Sequence, residues 1–159
     1  MTNAFSIALA ADHRGFTLKN TVARHLQTSG FNITDCGTDK ASERVDVMDY
    51  VLKAVKEMQN DHAERAILVC GSGIMPSLVA NRFAFIRAAA CMSAAQAEAG
   101  RSHNDINVLC LAADFLDEEE SLEIVDAFLQ TPIATDPRYA ERRARLNEFD
   151  PTAFLQEQK

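Results

Sequence analysis

A cysteine stands where an apolar run opens into a glycine-rich turn, in Leu68-Val-Cys-Gly-Ser-Gly-Ile74. A thiol at such a place can take a proton from carbon while main-chain N–H groups of the turn hold the oxyanion that results. Gly71 and Gly73 permit backbone angles that other residues avoid, so successive amides can converge into an anion-binding nest. Pro76 fits the first helical position, where its missing N–H costs nothing. The same residues also fit a buried structural cysteine in an ordinary strand-to-helix loop, because reactive and inert thiols look alike in sequence.

The elements that must position this turn alternate along the chain. Apolar runs at 6–11, 32–36, 66–70, 86–91 and 108–112 read as strands. Between and after them, helices are expected at 17–28, 47–59, 77–85, 94–102, 118–130 and 139–146. Leu18, Val22 and Leu26 mark the buried side of the first helix, and Gly30 its stop. Val51, Leu52, Val55 and Met58 share one side of the second. Five strands alternating with helices imply a Rossmann-like three-layer α/β/α fold around a five-stranded parallel sheet. Ligands of such sheets bind beyond the carboxyl ends of the strands, so Asp12-His13, Gly37-Thr38 and Cys70–Gly73 should line one edge. The acidic run Asp117–Glu120 suits a helix N-terminus.

At 159 residues the chain reads as one domain, 1–159, with a helical C-terminal segment from about 138 packing on the domain or on a partner subunit. Its 47% hydrophobic and 25% charged residues are ordinary for a soluble globular protein. A formal charge of −7 argues against a nucleic-acid or anionic-membrane binder, although a few local arginines would suffice for a small anion. Cys36, Cys70, Cys91 and Cys110 lack CxxC spacing, which disfavours a zinc site or a disulfide framework and fits a reducing cytoplasm. No signal peptide or membrane span is read.

Taken in order, several motifs resemble the ribose-5-phosphate isomerase B and galactose-6-phosphate isomerase family. They are Ala11-Asp-His-Arg-Gly-Phe16, Asp35-Cys-Gly-Thr38, Ser42-Glu-Arg-Val-Asp46, Val69-Cys-Gly-Ser-Gly-Ile74, Ala80-Asn81, Ile86-Arg-Ala88 and Arg101–Leu109. The resemblance implies aldose–ketose isomerisation of a sugar phosphate through an enediolate, with no metal and no cofactor. Cys70 matches the catalytic base, and Ser72 a hydroxyl that could relay a proton between substrate oxygens or simply cap the loop. Asp12 and His103 match the groups that bind and open the sugar ring. Gly71, Gly73, Ile74 and Met75 would line the substrate, and Asn104 would bind a sugar hydroxyl. In the family Asn104 and His103 come from the partner subunit, which implies a homodimer with shared sites, alone or paired into a tetramer. His13, Arg138 and Arg142 match positions near the phosphate. Spacing i, i+4 puts both guanidinium groups on one helical face, suited to a phosphate clamp. On spacing alone, the basic stretch from Arg138 to Arg145 reads as a solvated face paired with Glu141 and Glu148.

The recognition shell departs from the family pattern. Asp114 stands where an arginine usually follows Asn-Val-Leu, with Arg82 and Arg101 as candidate compensating cations. Met75-Pro76 alters the anion-binding loop, Tyr139 replaces a common histidine, Val47-Met48 replaces Tyr-Pro, and the segment after Cys91 is short of polar residues. Isomerase is therefore a firmer expectation than ribose. A tetrose or hexose phosphate is the close alternative, and a noncatalytic subunit-type member the distant one. A nucleotide-binding module is disfavoured because the first turn lacks GxGxxG.

Overall fold

The computed structural model describes residues 5–157. In chain order the elements are β1 (Ser6–Ala11), α1 (Phe16–Thr28), β2 (Asn32–Asp35), α2 (Val47–Gln59), β3 (Arg65–Cys70) and α3 (Ile74–Ala80). They continue with β4 (Ala88–Ala90), α4 (Ala94–Asn104), β5 (Val108–Ala112), α5 (Glu118–Gln130), α6 (Pro137–Glu148) and α7 (Pro151–Glu157). All strand pairs are parallel, in the order β2-β1-β3-β5-β4. This is the expected three-layer arrangement.

Alternation along the strands divides the core. Ile7, Leu9, Ile67, Val69, Leu109 and Leu111 meet Val22 and Leu26 of α1 and Ile124 and Phe128 of α5 on one face. Ala8, Ala10, Leu68 and Cys110 meet Val51, Val55 and Met58 of α2 and Val79 of α3 on the other. Small side chains on the second face let α2 and α3 approach the sheet closely. Burying one side chain such as Phe128 stabilises the fold by about 2–3 kcal/mol. The register sets Ala11 beside Val69 and Cys70 beside Ala112, so the residues after β1, β3 and β5 emerge side by side.

Several boundaries differ from the sequence-based expectation. Helix α3 begins at Ile74, not Ser77, because Gly73 adopts φ 70° and launches it directly. Pro76 therefore sits third in the helix, still within the first turn, whose N–H groups have no intrahelical acceptor. The helix stops at Ala80, where the Asn81 side chain pairs with both N–H and C=O of Ala88 and leads the chain to β4. That strand is three residues long rather than six. Leu52 of α2 faces solvent, although its spacing places it with the buried stripe. Helix α4 runs on to Asn104 and ends at Asp105, a non-glycine residue at φ 53° whose carboxylate receives Arg87 and Arg101, both at 2.8 Å. Helix α7 adds an element beyond those expected, with Asp150 capping the N–H of Thr152 and Pro151 opening the helix. No residue of α6 is buried. Among the described residues, no helix is long and apolar enough to cross a membrane.

Candidate active site

At the carboxyl edge of the sheet, two turns lie next to each other. After β1, Asp12 is 7% exposed and its Oδ1 accepts the N–H groups of Arg14 and Gly15, each at 3.0 Å. One carboxylate oxygen thus shapes the turn, and Oδ2 stays outside it. His13 accepts the Val45 N–H at Nδ1 (3.3 Å), which puts the ring hydrogen on Nε2, free to donate. After β3, Cys70 is 5% exposed and its Sγ accepts the Gly73 N–H at 3.2 Å. The amide fixes the sulfur at the mouth of the turn, and a thiol acts on carbon as its thiolate. The Ile74 N–H points at Ser72 Oγ (3.3 Å). The loop therefore closes on the thiol and the hydroxyl, two amides being engaged already, and is not the open nest expected. Ser72 keeps its own O–H for donation.

The other three cysteines are chemically distinct. Burial pushes the thiols of Cys36 and Cys91 up to about 11 and that of Cys110 well above its ordinary range. They stay protonated at neutral pH.

Asp114 does not stand as an uncompensated negative charge. Its Oδ2 accepts Nε and Nη2 of Arg14 at 3.1 and 2.6 Å, and these bonds, then its charge, push the guanidinium up. Arg14 is the compensating cation, not Arg82 or Arg101. Arg101 is buried in the last turn of α4, bonded to Asp105 and to the Ile106 carbonyl. The Arg14–Asp114 pair lies over Gly71, where a Cβ would come within 2.7 Å of Arg14 Nε and nearer still to Asp114.

His103, Asn104, Arg138 and Arg142 lie at the opposite edge. Helix α4 delivers His103 and Asn104 just before β5, on the side where the strands begin. The ring of His103 stacks on Tyr139 with centroids 4.0 Å apart and planes 10° from parallel. The guanidinium groups of Arg138 and Arg142 stand 5.8 and 5.9 Å from the same Tyr139 ring, so the expected shared face exists. Strand β3 alone, six residues long, separates the two edges by about 16 Å. Within one chain, the guanidinium pair is thus on the wrong side for Cys70 and His13. Cavities of about 620 and 180 Å³ lie away from Cys70 among the described residues. The larger includes Asn104, Arg82 and Arg87, and the smaller flanks Arg14.

Residues 7–146 match the sequence profile of the Ribose/Galactose Isomerase family. The chain belongs to that family. A probable ribose-5-phosphate isomerase B of Mycoplasma genitalium is 37% identical over 128 residues, covering 80% of this chain and 84% of the relative. The crystal structure of a ribose 5-phosphate isomerase from Thermotoga maritima superposes with a TM-score of 0.86 at 37% identity, covering 92% of this chain and 100% of the other. A 4-deoxy-4-sulfo-D-erythrose isomerase of Clostridium sp. is 34% identical over 125 residues, 79% of each chain.

In this ribose/galactose isomerase family member, two further residues make contacts beside the candidate site that its sequence alone leaves unassigned. Arg14 lies inside a quoted motif, but its partner is 100 residues away. Arg143, which reads as part of a solvated face, donates to the carbonyls of Ser102, His103 and Ala134 at 3.4, 3.1 and 2.9 Å. It locks α6 against the end of α4 and so fixes the His103–Tyr139 stack. No local pattern announces that clamp. Arg143→Ala is expected to lower stability by about 1–2 kcal/mol in thermal unfolding and to raise KM in steady-state assays. Unchanged values of both would remove Arg143 from the positioning of His103. Ile74 and Met75, expected to line the substrate, are solvent-facing in the single chain, together with Leu78.

Proposed function

We propose that this chain is an aldose–ketose isomerase of a phosphorylated sugar, with ribose 5-phosphate to ribulose 5-phosphate as the leading reaction. The observation that carries the reading is the Cys70 sulfur, held by the Gly73 amide beside Asp12 in a chain of this family. The protein works as a cytoplasmic homodimer, each site joining the Cys70 edge of one protomer to the His103 edge of its partner. Two observations support the pairing. The chemical groups sit on opposite edges of one sheet, and the apolar side chains of Ile74, Met75 and Leu78 next to the Cys70 loop lie uncovered.

In this reading, His103 of the second copy and Asp12 exchange protons with the anomeric hydroxyl and ring oxygen, opening the ring. Cys70 then takes the C2 proton, and the C–H electrons form the C1–C2 double bond while the carbonyl electrons move onto O1. Ser72 passes a proton from O2 to O1. The thiol returns its proton to C1 as the O2 carbonyl forms, giving the ketose. Arg138 and Arg142 of the second copy hold the phosphate, assisted by His13.

A four-carbon substrate is a second reading, favoured by the likeness to a 4-deoxy-4-sulfo-D-erythrose isomerase and by Asp114 in place of the usual arginine. A panel of four-, five- and six-carbon sugar phosphates, followed by NMR in deuterated water without added metal, decides between them. Deuterium entry into ribose and ribulose 5-phosphate is the expected result. Exchange confined to four-carbon substrates would replace ribose, and no exchange on any would overturn the isomerase reading.

A further inference from the structure

We propose that Arg14 is the near-side anion-binding residue of the site: Asp114 fixes its guanidinium over Gly71, where it takes the negatively charged end of the substrate. The inference rests on the isomerase reading and names a residue that reading does not use. Three observations carry it. First, Asp114 Oδ2 occupies only the Nε and one Nη2 donor of the five N–H donors of a guanidinium. The side chain is 58% exposed, so the remaining donors stand at the rim. A charged, hydrated terminal group belongs at a rim, whereas the reacting carbons belong at the buried sulfur.

Second, the carboxylate that directs the guanidinium is tied to the loop carrying that sulfur. The Ala113 N–H donates to the Cys70 carbonyl and the Asp114 N–H to the Gly71 carbonyl, both at 2.9 Å. The loop after β5 is thereby zipped to the loop after β3, and the carboxylate that aims Arg14 moves with the thiol. Gly71 leaves room for this, since any side chain there would collide with the pair. An ion pair this exposed adds little to stability, so its two N–H groups converging on the one oxygen Asp114 Oδ2 serve to direct the guanidinium. Third, His13 is adjacent in sequence, with its Nε2 hydrogen unspent on the Val45 contact. The same turn thus offers two cationic or donor side chains, in a chain whose formal charge of −7 would otherwise repel an anion.

The test is a set of variants measured for kcat, KM and binding of inorganic phosphate by phosphorus NMR titration. Arg14→Ala is expected to raise KM and the phosphate Kd about tenfold or more, with kcat within about threefold of the parent. Arg14→Lys keeps the charge but not the fork, and should recover part of the loss. Asp114→Asn, which weakens the aim without removing the cation, should fall between. Unchanged KM and Kd in Arg14→Ala, with an unchanged melting temperature, would overturn the inference while leaving the isomerase intact. Loss of kcat alone would also overturn it, by moving Arg14 from the anion to the reacting carbons. Phosphate titration needs no turnover, so Arg14 is tested even if the sugar panel removes the isomerase reading.

Discussion

Cys70→Ala is expected to leave a folded protein whose turnover is down by about a thousandfold, the scale of losing a positioned general base. The sulfur stands at the carboxyl edge with the Gly73 amide aimed at it. Asp12 Oδ1 is committed to the amides of Arg14 and Gly15, and His13 Nδ1 to Val45. His13 carries its ring hydrogen on Nε2, and Asp12 serves ring opening in the proposed mechanism, so neither duplicates the role given to the thiol. The remaining cysteines offer no rescue, because burial keeps their protons on at neutral pH. Cys70→Ser makes the companion test, since a hydroxyl fills the same space and accepts the Gly73 N–H but gives up its proton far less readily. Both variants should melt close to the parent, as only one small side chain changes. Turnover within about tenfold of the parent in either would assign the proton transfer to another group.

Much of this architecture is legible in the order of residues. Strands 6–11 and 108–112 and helices 47–59 and 118–130 coincide with the sequence-based boundaries, because alternating apolar runs and helical spacing are local signals. The clustering of Asp12-His13 with Cys70–Gly73 follows from parallel topology alone. What escapes is of another kind. The Arg14–Asp114 pair and the Arg143 clamp join residues 100 and about 40 apart, and nothing near either residue encodes the meeting. Leu52 has the spacing of a core residue yet lies just off the buried stripe defined by Val51 and Val55. Helix α3 starts early because the left-handed turn at Gly73 outweighs the cue from Pro76. Spacing misleads most at Arg138 and Arg142. It describes their shared face correctly, but it cannot tell which edge of a sheet that face adorns.

That placement leads to the second large effect. Cys70 and His103 stand at opposite ends of the strands, so a site using both must draw them from two chains. Cys70→Ala and His103→Ala homodimers should each be nearly inactive. In a mixed dimer, one site loses both groups, and the other keeps the intact Cys70 of one subunit and the intact His103 of its partner. Random exchange makes about half the dimers mixed, each with one working site, so about a quarter of parental activity returns. The gain is from nearly nothing, without any covalent change. Mixing the two variants under conditions that allow subunit exchange, then assaying turnover, interrogates a site shared across protomers. Recovery to about a quarter is expected if the two edges meet between subunits. Mixed dimers verified by mass spectrometry that remain as inactive as the separate variants would show that they do not.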